Sequence, residues 1–158
     1  MQSSFEWDEE LWLLTLDGHQ EKLIDLERPN SSGKWSPDDK NIAIISNGNV
    51  HIIQNKTSIW ANNGYVAAFC WTDTGALVYC EYNNGANLYR KTGESEPEKL
   101  TNFNAQETIG SLWICHDSSI VFVVNDNKIF KTANGKEQLL VDLPGFSNIY
   151  EIRWIALK

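Results

Sequence analysis

Short apolar runs rich in β-branched residues alternate with clusters of Asn, Gly, Asp and Ser along the whole chain. No window of eleven or more residues carries an i, i+3, i+4, i+7 apolar stripe, so the pattern predicts strands throughout and no amphipathic helix. One stretch sets the grammar. Gly33-Lys34-Trp35-Ser36-Pro37-Asp38-Asp39-Lys40-Asn41-Ile42-Ala43-Ile44-Ile45 reads as a strand ending on Trp, a tight turn, and an apolar strand. The same phrase recurs at Cys70-Trp71-Thr72-Asp73-Thr74-Gly75-Ala76-Leu77 and at Leu112-Trp113-Ile114-Cys115-His116-Asp117-Ser118-Ser119-Ile120. It opens once more at Ile152-Arg153-Trp154-Ile155. The Trp residues stand 36, 42 and 41 residues apart, a period that marks a radial β-repeat.

Each repeat predicts four antiparallel strands. In the first these are a strand ending at Trp35, then 41–46, 50–54 and 58–61. In the second they are 66–71, 76–82, 86–91 and 97–100. Asn47-Gly48-Asn49, Asn83-Asn84-Gly85 and Asn125-Asp126-Asn127 fall at the equivalent hairpin, and Asn-Gly accepts the positive φ that such turns require. The B strands, such as Ile120-Val121-Phe122-Val123-Val124, are apolar without alternation, as expected of strands buried on both faces. The repeats run approximately 27–61, 65–101 and 108–143 within a single domain of 158 residues. A split repeat remains, with an inner strand in 150–158 and its partners in 3–26, so the two ends of the chain pair in one sheet and close a ring.

These residues resemble the repeat of the TolB-like, WD-repeat-related β-propeller family. Its opening, Trp-Ser-Pro-Asp-Gly-Lys and then Ala, is matched from Trp35 to Ala43 with Asp39 in place of Gly. Its second half is matched by Asn87-Leu88-Tyr89 through Gly93 and by Glu98-Lys99-Leu100-Thr101. The resemblance implies an all-β propeller, here with four blades per chain and one blade split between the termini. Family members usually carry six to eight blades. Two closures follow: a four-bladed ring within one chain, or an eight-bladed ring made by a homodimer. A third arrangement, a piece of a larger propeller, fits the matched split at the two ends less well.

Composition narrows the partners. A net charge of −8 argues against a nucleic-acid backbone or an anionic membrane surface. No basic segment followed by a long apolar run opens the chain, which leaves the cytoplasm as the expected compartment. Cys70, Cys80 and Cys115 sit in apolar strand patterns and read as reduced packing residues.

Catalytic signals are thin. Cys115-His116-Asp117 places neighbouring side chains on opposite faces of a strand, so the three do not converge. His19 and His51 stand alone, no metal-ligand spacing occurs, and no phosphate-cradling loop is present, so no cofactor or metal is expected. Asp8-Glu9-Glu10 reads as a solvated hairpin turn. The chain is expected not to be an enzyme.

A binding surface is the better expectation. The connections between blades gather at one mouth of the ring, and three of them combine amides with aromatics: Asn62, Asn63 and Tyr65; Asn102, Phe103 and Asn104; Phe146, Asn148 and Tyr150. Taken singly, each of these residues is better accounted for by turn formation and packing between blades. Together they predict a non-catalytic propeller scaffold that binds a protein or peptide through this loop face. The alternative is a small-ligand or glycan site at the same mouth, and a propeller hydrolase or lyase comes third.

Overall fold

A computed structural model describes residues 8–27, 33–114, 119–133 and 136–145. Fourteen strands occur among them and no helix. The strands expected in the first two full repeats are present with boundaries moved by one or two residues, because hairpin chemistry fixes where each strand must reverse. β1 (Asp8–Leu14) and β2 (Gln20–Glu27) form a two-stranded sheet. β3 (Lys34–Trp35), β4 (Ile42–Ser46), β5 (Asn49–Gln54) and β6 (Thr57–Ala61) form the next, with four strands in chain order. β7 (Tyr65–Trp71), β8 (Leu77–Tyr82), β9 (Ala86–Lys91) and β10 (Glu98–Lys99) form the third. β11 (Ile109–Ile114), β12 (Ile120–Val124), β13 (Lys128–Ala133) and β14 (Lys136–Asp142) form the fourth. Every described pairing is antiparallel between sequence neighbours, the meander that short turns allow.

Two turns recur for physical reasons. Between β4 and β5, Asn47 and Gly48 take φ of 49° and 81°. Asn84 and Gly85 do so at 55° and 121°, and Asn125 and Asp126 at 51° and 61°. All three fit the left-handed geometry of a tight hairpin. The second turn joins the first two strands of a sheet. The buried Ser36 hydroxyl accepts from the Asn41 amide at 3.0 Å and donates to Asp38 at 2.7 Å. Thr72 repeats this role, its hydroxyl accepting from the Ala76 amide at 2.9 Å. Gly75, at φ 80°, occupies the place that Asp39 takes at 56°. Asp8-Glu9-Glu10 departs from its expected place in a hairpin turn: it opens β1, where Asp8 to Glu10 pair with Glu27 to Asp25, and Glu10 is held by Lys22 at 2.5 Å. The partner strand β2 is long enough to extend the ladder through those residues.

Contacts group the chain into two compact units, 1–66 and 67–158. In the first, Leu26, Ile42, Ile44 and Ile53 are buried with Leu11, Leu23 and Ile24 packed on them. In the second, the core runs through Val78, Cys80, Leu88, Ile109, Leu112, Ile120 and Phe122. Burial pushes the Cys80 thiol up to about 12, so it stays protonated and packs as a small apolar group. Cys70 likewise forms no disulfide. Cys115, His116, Phe146, Asn148, Tyr150 and the segment 150–158 lie outside the described residues, so the expected split repeat does too.

Candidate functional site

Six of the amides and aromatics expected at the loop face are described, and they differ in exposure. Asn62 is 5% exposed. Its carboxamide oxygen accepts from the Val50 amide at 2.7 Å and its nitrogen donates to the Gly64 carbonyl at 2.7 Å, so it braces the connection after β6. Asn63 and Tyr65 are exposed beside it. Tyr65 lies over Gly48, whose missing side chain leaves room for the ring. Phe103 turns inward. Its ring meets Phe122 and Phe130 edge-on at 5.7 and 5.5 Å and packs on the second core. Asn102 is exposed, and Asn104 folds its carboxamide oxygen onto the Gln106 amide at 3.0 Å. Two of the six described candidates, Asn62 and Phe103, therefore make internal contacts that hold the fold.

A concavity lies within the first unit. It encloses about 530 Å³ and opens on the sheet edge that carries the β3–β4 and β5–β6 turns. Its floor comes from strand register. Trp35 sits opposite Ile42 and Ile42 opposite Ile53, so three apolar side chains form one row across β3, β4 and β5. Glu21 and Leu23, two residues apart on β2, make the facing wall. Asp39 and Lys40 from one turn, with Gln54, Asn55 and Lys56 from the other, make the rim. Trp35 is 45% exposed here, whereas Trp71 and Trp113 at the equivalent repeat position are half-buried.

The rim carries a conformational oddity. Asn55 and Lys56 both hold positive φ, 48° and 63°, as a two-residue hairpin demands. Asn suits that conformation, but Lys at the second position costs more than the Gly that turn chemistry favours. The Lys56 ammonium reaches across the rim to Glu21 at 2.6 Å. This hydrogen bond holds the Glu21 carboxyl below its ordinary range. The corresponding turn of the third sheet is closed differently: buried Lys91 donates to the carbonyls of Gly93 and Ser95 at 2.6 and 2.8 Å. The rim thus presents ammonium, carboxylate and amide groups around an exposed indole face. Among the described residues, no group of three or more His, Cys, Asp or Glu stands close enough to hold a metal ion.

No protein-family profile matches the chain, and no curated protein matches it. Solved structures do. A virginiamycin B lyase from Staphylococcus aureus superposes with a TM-score of 0.65 at 16% identity, over 86% of this chain and 49% of the lyase. A streptogramin B lyase superposes with a TM-score of 0.62 at 18% identity, over 82% of this chain and 47% of that one. The chain has a propeller-type fold. It spans about half the length of the structures it matches. These neighbours are named as lyases rather than as TolB or WD-repeat proteins.

That finding corrects the expected function. A non-catalytic scaffold binding a protein or peptide through its loop face is contradicted by two propeller neighbours that are enzymes by name. The loop face itself supplies a physical reason, since Asn62 and Phe103 spend their polar and aromatic surfaces inside the fold. Sequence reasoning missed the concavity because the packing of one sheet on the next, not sequence proximity, brings Glu21 to Lys56. One local signal pointed to it: Asn55-Lys56 stands where Asn-Gly would be the easier turn.

Proposed function

We propose that this chain is a propeller segment that binds a small organic molecule in the concavity beside Trp35. The observation that carries the reading is the half-exposed indole face over an apolar floor, rimmed by Lys56, Glu21, Lys40 and Asn55 in a space of about 530 Å³. Pockets for small ligands typically have that size and that mixture of apolar wall and few polar groups. The structural neighbours add support, because each is named for acting on a single compound, virginiamycin B or streptogramin B. The same names favour a second reading, in which the bound molecule is turned over by a lyase reaction. Blade number belongs to this proposal too: the β1–β2 sheet counts as part of a fourth blade, and two copies build a ring of eight.

The test is a ligand-observed NMR screen of methyl glycosides, aromatic carboxylates and small cyclic peptides against the full chain. At least one class is expected to bind, and Trp35→Ala is expected to weaken it about tenfold, the loss of a stacked ring. Silence across the panel, or binding that Trp35→Ala leaves unchanged, overturns the reading. Chromatographic analysis of each hit after prolonged incubation separates binding from turnover.

A further inference from the structure

The concavity beside Trp35 has a rim built against local turn preference. Asp39, between β3 and β4, and Lys56, between β5 and β6, hold φ of 56° and 63°. A side chain makes that conformation costly, and the next sheet along the chain meets the same need with glycine. Gly75 stands there at φ 80° between β7 and β8, and Gly93 at φ 50° between β9 and β10. Here both turns instead carry a charged side chain to the mouth of the concavity.

Pairing of the rim charges narrows what the concavity takes. Lys56 bonds to Glu21 at 2.6 Å and the Lys40 ammonium lies 3.7 Å from Asp38, so each rim cation has an anion beside it. Among the described residues, the Asp39 carboxylate makes no ion pair and no hydrogen bond, nor does the Asn55 carboxamide make a hydrogen bond. An anionic ligand would meet Asp39 within a chain of net charge −8. An organic cation would suit Asp39 and the indole but face Lys40 and Lys56 on the same rim. A wholly apolar molecule would strip water from Asp39 and Asn55 and return no hydrogen bond.

We propose that the bound molecule is a neutral sugar, one face of its ring stacked on Trp35 and its hydroxyl groups held by Asp39 and Asn55. This rests on the small-molecule reading above and names the ligand class. A pyranose ring matches both parts of the site. Its C–H groups pack on an indole, and its hydroxyl edge donates to a carboxylate and both donates to and accepts from a carboxamide. Trp35 is 45% exposed, which leaves its ring open for that stacking. The row of Trp35, Ile42 and Ile53 then lies under the sugar, and the two turns lie along its edge.

Saturation-transfer NMR on the full chain tests this, with the methyl glycosides of glucose, galactose and mannose beside the aromatic carboxylates and cyclic peptides. At least one glycoside is expected to bind, with saturation strongest on the ring C–H protons. Asp39→Gly removes the carboxylate and supplies the residue best suited to φ 56°. The thermal midpoint is therefore expected to hold while glycoside affinity falls about tenfold. Asn55→Gly, at φ 48°, is expected to weaken binding in the same way. Glycoside affinity unchanged in either variant overturns the placement of the sugar at this rim. An aromatic carboxylate or cyclic peptide bound in a Trp35-dependent way, with every glycoside silent, overturns the sugar assignment and leaves the small-molecule reading standing. Silence across all three classes, or glycoside binding indifferent to Trp35→Ala, overturns both.

Discussion

Asn62 and Asn63 are adjacent, chemically identical and opposite in role. Asn62 satisfies the Val50 amide and holds the Gly64 carbonyl from a buried position, whereas Asn63 faces water. Asn62→Ala strands a buried backbone donor, and the expected cost is about 1–3 kcal/mol. Asn63→Ala is expected to change stability by no more than about 0.5 kcal/mol. Urea unfolding of the pair checks both, and equal midpoints for the two variants would sink the assignment. This contrast also shows what the sequence conceals. An Asn in a turn reads the same whether its carboxamide braces the backbone or meets solvent, so the amide-rich loop face looked continuous. Phe103 misled for a related reason: a single aromatic in a polar loop carries no mark of the Phe122 and Phe130 rings that it meets. Lys56 is the residue whose choice is least explained by its turn alone, and its reach to Glu21 supplies the missing reason.

At the scale of elements, the hairpins were the most legible part of the chain. Asn-Gly and Asn-Asp state their backbone conformation locally, and the observed φ values at residues 47, 84, 85, 125 and 126 follow directly. Gly85 has a second duty. Its φ is 121°, and a side chain there would meet the Asn104 carbonyl oxygen at 2.7 Å and the Phe103 carbonyl oxygen at 3.1 Å. Gly85→Ala is therefore expected to destabilise by about 1–3 kcal/mol, with the largest amide shift changes along residues 102–107. A heteronuclear NMR spectrum unchanged in that segment would refute the close approach. Gly75, at φ 80° in the turn before β8, has open space around it, so Gly75→Ala pays for backbone conformation alone. The concavity was illegible at this scale because its floor is a cross-strand row. Trp35, Ile42 and Ile53 become neighbours only once register is set.

For the whole molecule, charge and pH act together. The net charge of −8 falls in magnitude as acid is added, which relieves self-repulsion. His51 works the other way. Its half-buried ring resists protonation, so its pKa is lowered from the ordinary value of 6.5 by loss of hydration. The unfolded chain then binds the proton more readily than the folded one. Stability from this group is present above about pH 6.5 and lost as pH falls below it. Thermal midpoints measured between about pH 7.5 and pH 5.5 are expected to fall further for wild type than for His51→Gln. Parallel curves would show that His51 does not titrate in a fold-sensitive place. The all-β, propeller-type fold was readable from the Trp period because every copy must solve the same packing problem. Function was not readable, since the turns that define the repeat hold sheets together and carry no chemistry of their own.

The Asn-Gly hairpins give the chain a chemical clock. In Asn47-Gly48 and Asn84-Gly85 the residue after Asn has no side chain to shield its amide nitrogen, the arrangement in which succinimide closure is fastest. Ring opening replaces a carboxamide with a carboxylate and, in the iso form, lengthens the backbone by one carbon at a tight reversal. Gly85 already lies too close to the carbonyls of Phe103 and Asn104 to admit a side chain, so a backbone shift from ageing at this dipeptide is felt by the neighbouring connection as well as by its own hairpin.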